Sequence, residues 1–248
     1  MNKELIRKIS KILSYAFIIC LLLYGYSYFK TEQLPSPKEI DAQLLEQPTQ
    51  TQTDRQPFTM LFGDKEYVIT PLYDYELTGL VVSYSDLDKM WFNIYYDRDP
   101  YNRKDVCVIF GSNLARNYYQ KVDYHSGSWT CYYSYEFKDV PYFNHEELSN
   151  NHLITANEEI SHQLNEVRSG DQIKVKGYLV NYSINGEQGA RTTSTTRTDK
   201  GQGACEVIYV EELEIIKSAN FMWRALNDFT FGLMILIIII KLYMFFAL

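Results

Sequence analysis

The chain has 248 residues, 46% apolar and 15% aromatic, with 22 tyrosines and a formal net charge of -7. That is enough apolar material for one sizeable core, and the aromatic content leans toward strands, where flat rings pack on a pleated, half-buried surface. No cluster of lysine and arginine is present to displace counterions from a phosphate backbone, which excludes a general affinity for nucleic acid.

Residues 1–11 read as a basic cytoplasmic tail, with Lys3, Arg7, Lys8 and Lys11 opposed only by Glu4. The uncharged run "ILSYAFIICLLLYGYSYF", residues 12–29, has about the length that crosses a bilayer core. Positive charge before it predicts a cytoplasmic N-terminus. The alternative, a cleaved signal peptide, finds no small-x-small site in "YGYSYF". Bulky Ile19 argues against Cys20 as a lipoprotein cysteine.

Residues 30–57 are polar and proline-marked and read as a linker. Within it, Ser36-Pro37-Lys38-Glu39 has the pattern of a capping box with Pro at the first helical position. Ile40, Leu44 and Leu45 would line a short helix ending before Pro48, followed by "TQTQTDRQ" as a flexible spacer.

Residues 58–217 carry the folded domain. "YELTGLVVSYS", "WFNIYYD", "DVCVIFG" and "SWTCYYSYEF" predict strands. "NEEISHQLNEV" changes to helical period, with Ile160, Leu164 and Val167 on one side and Asn157 as cap. "QIKVKGYLVNYSI" alternates again: Ile173, Val175, Gly177 and Leu179 share one face, Lys174 and Lys176 the other. "CEVIYVEELEII" closes the domain. The fold class is mainly β with one or two helices, an α+β arrangement. Strands, one helix, a long strand with a mid-strand glycine and a last strand fit an OB-like small barrel, with a β-sandwich as runner-up. Residues 218–228 read as interfacial, with Trp223 and Arg224, and 229–248 as a second membrane span. Lys241 would snorkel its ammonium to the headgroups or pair with a partner subunit. Both termini are then cytoplasmic, and the domain lies in the periplasm or outside the cell.

The series "DVCVIFGSN", "SWTCYYSY", "LSNNHL", "GDQIKVKGYL" and "TSTTRTDKGQGACEVIYV" resembles a family of uncharacterised bacterial proteins that are exported or membrane-anchored. The resemblance covers residues 72–210 and implies an extracytoplasmic bacterial module. It implies no activity, so no site residue follows from it. The C-terminal apolar run departs from a single-anchor layout.

The chemistry-bearing residues each have two readings. Cys107, Cys131 and Cys205 form no C-x-x-C. In an oxidising compartment two can pair; Cys107 with Cys131 is favoured because both lie in strand-like runs separated by one excursion, and three buried thiols are the alternative. Cys205 as a nucleophile would need His152 as base, Asn150 or Asn151 to orient it, and backbone N–H groups near Gly201 and Gly203. The structural alternative starts a strand there, with Cys205, Val207 and Tyr209 on an interior face. Arg191, Thr193, Ser194, Thr195 and Arg197 are ligand-binding candidates for an anionic or sugar-like group, against an exposed hairpin arm. Tyr118, Tyr119, Tyr124, Trp129, Tyr132, Tyr133 and Tyr135 read as core, with outward stacking on a ligand as the alternative. His125, His145, His152 and His162 show no metal-ligand spacing, and no metal or cofactor is expected.

The functional expectation is a membrane-tethered extracytoplasmic β-domain serving as a binding or assembly module of the bacterial envelope, anchored in the cytoplasmic membrane. Its partner would be another envelope protein or a second copy. The alternative is a cysteine-dependent hydrolase or transferase using Cys205 and His152.

Overall fold

The computed structural model describes residues 3–86, 99–127, 129–186, 191–199 and 204–246. In chain order the elements are α1 (Lys3–Tyr28), β1 (Thr49–Gln52), β2 (Phe58–Phe62), β3 (Lys65–Asp86), β4 (Asn102–Ile109), α2 (Ser112–Ala115), β5 (Asp123–Gly127), β6 (Thr130–Ser134), β7 (Leu148–Ile154), α3 (Glu158–Glu166), β8 (Gln172–Ile184), β9 (Glu206–Lys217) and α4 (Phe221–Phe246). The chain divides into two units, Met1–Gln33 with Ala219–Leu248, and Leu34–Ser218.

The first unit holds α1 and α4, each of 26 residues. At the α-helical rise each spans roughly 39 Å, more than the roughly 30 Å of a hydrocarbon core. Both are long and apolar enough to cross a membrane. They meet through polar side chains as well as apolar ones. Asn227 Nδ2 donates to the Tyr24 carbonyl and to Ser27 Oγ, both at 3.0 Å. Lys241 Nζ donates to Ser14 Oγ at 2.6 Å, from one helix to the other.

The second unit is a mixed α+β domain around a large sheet. β3 pairs with β4, β4 with β7, β7 with β9, β9 with β8, and β8 again with β3. This series of pairings returns to its first strand, and its β7–β9 step is parallel. β3, 22 residues long, serves four partners along its length, and it shifts register twice, between Pro71 and Tyr73 against β8 and between Val81 and Ser83 against β4. Such shifts add twist, and Pro71, with no N–H to give, is tolerated at one of them.

One face of the sheet buries Leu77, Val81, Val106, Val108, Leu153, Ile173, Val175, Ile208 and Val210. Ile160 and Leu164 of α3 and Val167 beyond it close this cluster, with Asn157 Oδ1 accepting from the N–H groups of Glu159 (2.9 Å) and Ile160 (3.3 Å). Val207 packs in a different cluster, with Met60, Tyr67 and Tyr182. The face of Val207 and Tyr209 is interior as expected, with Val207 fully buried; Ile208 and Val210 on the other face are buried too, so β9 enters the domain with both faces covered.

The opposite face of β4, with Cys107 and Ile109, is covered by residues 112–147 and by the segment entering the domain. That segment is not a loose linker. Leu44 is fully buried, Gly111 N–H donates to its carbonyl (2.9 Å), and Tyr119 Oη donates to the Pro35 carbonyl (2.8 Å). The short helix is two separate 3-10 turns, Pro37–Glu39 and Ala42–Leu45. Glu39 accepts from the Ser36 N–H at 2.8 Å, the backbone half of the expected box. The spacer reading of "TQTQ" is also corrected, since Thr49–Gln52 is β1, paired with Tyr73–Glu76. The strand expected at "WFNIYYD" falls on residues 91–97, outside the described residues.

β5 and β6 form a hairpin apart from the main sheet. A disulfide from Cys107 in β4 to Cys131 in β6 ties it down across a sequence separation of 24. By chain entropy such a closure is worth about 3 kcal/mol. Cys131→Ala is expected to lower the domain's denaturation free energy by that order in non-reducing buffer, with no further loss when reductant is added. Equal stability of the two proteins without reductant would show that the bond does not hold the hairpin.

Candidate functional site

Register places the site before any side-chain contact is considered. Asp105 of β4 stands opposite His152 of β7, which stands beside Val207 of β9. Cys107 stands opposite Asn150, and Asn151 beside Glu206. Alternate strand positions share a face. Asp105, Cys107, Asn150, His152 and Cys205 are therefore gathered on the face turned away from the Val106–Leu153–Ile208 cluster.

The contacts follow that placement. His152 Nδ1 lies 2.7 Å from Asp105 Oδ1, with both side chains almost wholly buried. Cys205 stands on the same face of the sheet as His152, and its interaction with the ring favours the charged imidazole. Asn150 Nδ2 donates to the Cys205 sulfur at 3.3 Å and to the Trp129 carbonyl at 3.3 Å. Cys205 is a free, partly exposed thiol, with Sγ 3.8 Å from the Trp129 carbonyl oxygen. Trp129 sits at the turn of the β5–β6 hairpin with a left-handed backbone (φ 69°). Its ring stands edge-on to His152 at 5.6 Å, and the Arg191 guanidinium lies 3.6 Å from the ring centroid. The hairpin pinned by Cys107–Cys131 thus roofs the thiol and the imidazole.

The electrostatics are set by burial and by Asp105. Burial pushes the imidazole of His152 down. The charge and hydrogen bond of Asp105, helped by the neighbouring Cys205, outweigh burial and raise it to about 9. At neutral pH the ring is an imidazolium, with an N–H for the Asp105 carboxylate. Beside it, burial pushes Glu206 up to about 7, although the Arg197 charge offsets part of the cost. Asp105 Oδ2, Asn150 Oδ1 and Glu206 Oε2 are buried without a hydrogen-bond partner among the described residues.

The candidates from the Arg191–Arg197 stretch separate. Arg191 pairs its backbone with Tyr182 and sends its side chain over Trp129, into the site. Arg197 turns inward, with Nη1 donating to Glu206 Oε1 at 2.8 Å and Nη2 to Tyr75 Oη. Thr193 Oγ1 accepts from the Val207 N–H (2.9 Å), and Ser194 is buried with its hydroxyl 2.8 Å from Asp199 Oδ2. The Thr195 carbonyl accepts from Gln50 Nε2 at 3.0 Å. Arg191 alone of the five stands against Trp129 and acts on His152 through its charge.

Sequence reasoning named Cys205, His152 and Asn150 but missed Asp105 and the roofing part of Trp129. Asp105 is 47 residues from His152, and only strand register joins them. Asn151, offered as an orienter, instead donates to Ser149 Oγ at 2.9 Å and to the Val106 carbonyl. Gly201 and Gly203 lie outside the described residues. The aromatic stretch is mixed: Tyr119 is fully buried, while Tyr132 and Tyr133 are exposed. Among the described residues, no group of three or more His, Cys, Asp or Glu side chains is set to hold a metal ion. No family model, curated protein or solved structure matches the chain.

Proposed function

We propose that the chain is a membrane-tethered extracytoplasmic domain with an OB-like barrel, serving as a binding or assembly module of the bacterial envelope. The observation that carries this reading is one β-rich domain held between two terminal helices, each long and apolar enough to cross a membrane. The basic residues before α1 favour a cytoplasmic N-terminus, and two spans then return the C-terminus to the same side. The barrel reading is supported by the ring of pairings through β3, β4, β7, β9 and β8, with α3 between its third and fourth strands in chain order. The second and third strands of that ring, β4 and β7, form the side on which such barrels hold their ligands. Exposed aromatics in the covering segment, Tyr132, Phe137 and Tyr142, suit contact with a protein partner.

The test is crosslinking in intact membranes followed by detergent extraction. A specific adduct, with a second protein or a second copy, is expected, and fusions of a periplasm-dependent reporter after Ser218 should be active. A clean monomer under every crosslinker would count against the assembly reading, and a cytosolic reporter against the location.

A second reading is a cysteine-dependent enzyme, favoured by the gathering of Cys205, His152 and Asp105 on one sheet face, with His152 Nδ1 2.7 Å from Asp105 Oδ1. Nucleophile, proton carrier and orienting carboxylate stand in the order that thiol chemistry requires.

A further inference from the structure

We propose that Cys205, His152 and Asp105 form a thiol–disulfide exchange site, with Arg191 selecting small anionic disulfides. The proposal rests on the cysteine-enzyme reading and names its reaction and substrate class.

Three observations carry it. First, the cysteine is embedded in a built site. His152 is 1% exposed, bonded to Asp105, and on the same sheet face as Cys205. Second, Asn150 is 8% exposed, donates to Sγ through Nδ2, and leaves Oδ1 without a partner among the described residues. A buried amide with an unmet acceptor beside a free thiol is costly unless a ligand or water meets it. Third, Arg191 places a cation over Trp129 and carries no side-chain hydrogen bond to another described residue.

The same surroundings choose between thiol reactions. Acyl transfer needs at least a pair of N–H donors around the oxyanion that forms beside the sulfur. Among the described groups, Sγ meets one amide donor, Asn150 Nδ2, and one carbonyl oxygen, that of Trp129, which would repel an oxyanion. Disulfide exchange builds no oxyanion. It needs a thiolate, a proton for the departing sulfur, and access. The Cys205 thiolate attacks one sulfur of the substrate, a new S–S bond to Cys205 forms, and the old S–S bond breaks. The leaving thiolate takes the proton held on His152, and Asp105 stays ionised throughout. A second thiol reverses the sequence, so no oxidant beyond the disulfide substrate is consumed.

The charged and titratable groups that act on the imidazole are Asp105 from β4, Cys205 and Glu206 at the start of β9, and Arg191 from the segment after β8. Asp105 and the sulfur favour the charged ring, while Arg191 opposes it. The positive pair of imidazolium and guanidinium suits a substrate bearing carboxylates.

The experiment uses the full chain in detergent, with Cys20→Ala so that Cys205 is the one free thiol. Mixed-disulfide formation is followed by mass at pH 6 with oxidised glutathione, and by thiopyridone release with neutral dipyridyl disulfide. Iodoacetamide is run in parallel, and every rate is compared with the same chain unfolded in guanidinium chloride. The folded protein is expected to form the mixed disulfide about tenfold faster or more than the unfolded chain, because the proton donor and the cation stand beside the sulfur only in the fold. Asp105→Asn should remove most of that gain, and Arg191→Gln should slow oxidised glutathione several-fold more than dipyridyl disulfide. The folded-to-unfolded comparison needs no variant, so misfolding of Asp105→Asn leaves the test intact. Slow reaction of folded Cys205 with all three reagents would overturn both the exchange site and the enzyme reading. Fast alkylation with no mixed disulfide would overturn the exchange alone.

Discussion

Replacing Gly177 by alanine is expected to lower the stability of the domain by about 3 kcal/mol or more, the upper end of what forced overpacking costs. A Cβ built on Gly177 would stand 1.9 Å from the Tyr209 carbonyl oxygen and 3.2 Å from the Val210 Cα. Both obstacles are backbone, so no rotamer change relieves the clash; β8 and β9 must part. The glycine stands at the register shift where Gly177 faces Val210 while Lys176 faces Glu212. This is where the long strand bends, and the chain can bend there because the two backbones touch. Denaturant unfolding of the full chain in detergent, followed by near-UV circular dichroism, measures the effect. A loss under 1 kcal/mol would mean that the two strands separate easily and that the close approach is not structural.

The second large effect is a pH dependence that Asp105→Asn removes. His152 is held at about 9 in the folded chain against 6.5 for an ordinary histidine. A raised basic group stabilises the fold fully below the unfolded value and loses that contribution as pH rises through the folded one. The imidazolium therefore adds on the order of 3 kcal/mol below pH 6.5, which fades by about pH 9. Glu206, raised from 4.5 to about 7 by burial against the pull of Arg197, has the same sign at lower pH. Its contribution is present below 4.5 and is lost by about 7. The wild-type melting temperature should thus fall in two overlapping steps from pH 4.5 to 9. In Asp105→Asn the main groups that raise His152 are gone and burial dominates, so the upper step vanishes while the lower one remains. A wild-type melting temperature that is level or rising from pH 6.5 to 9 would contradict the buried imidazolium.

Much of the architecture is legible in local pattern. The strand Gln172–Ile184 shows in its alternation, and α3 in the spacing of Ile160, Leu164 and Val167 behind Asn157. Two of the strands that escaped notice lack an apolar signature. β1 is "TQTQ", an exposed edge strand held by main-chain pairing to β3, so its side chains carry no mark of it. β7 is "LSNNHLI", buried along most of its length yet polar at Ser149, Asn150, Asn151 and His152. Its polarity hides it as a strand because those side chains build the site and its supports.

The sequence by itself determined the apolar terminal helices, the β-rich domain between them, and the residue types, Cys205 and His152, on which thiol chemistry would turn. These are properties of composition and of short-range period, and a contiguous stretch of chain carries them. Only the tertiary structure decided that Asp105 stands behind His152, that Asn150 and Trp129 enclose the sulfur, and that Arg191 enters the site while Arg197 is spent on Glu206. Those neighbours come from strands far apart in the chain. Their meeting is set by backbone register across β4, β7 and β9, and a shift of one residue would turn each of them to the opposite face.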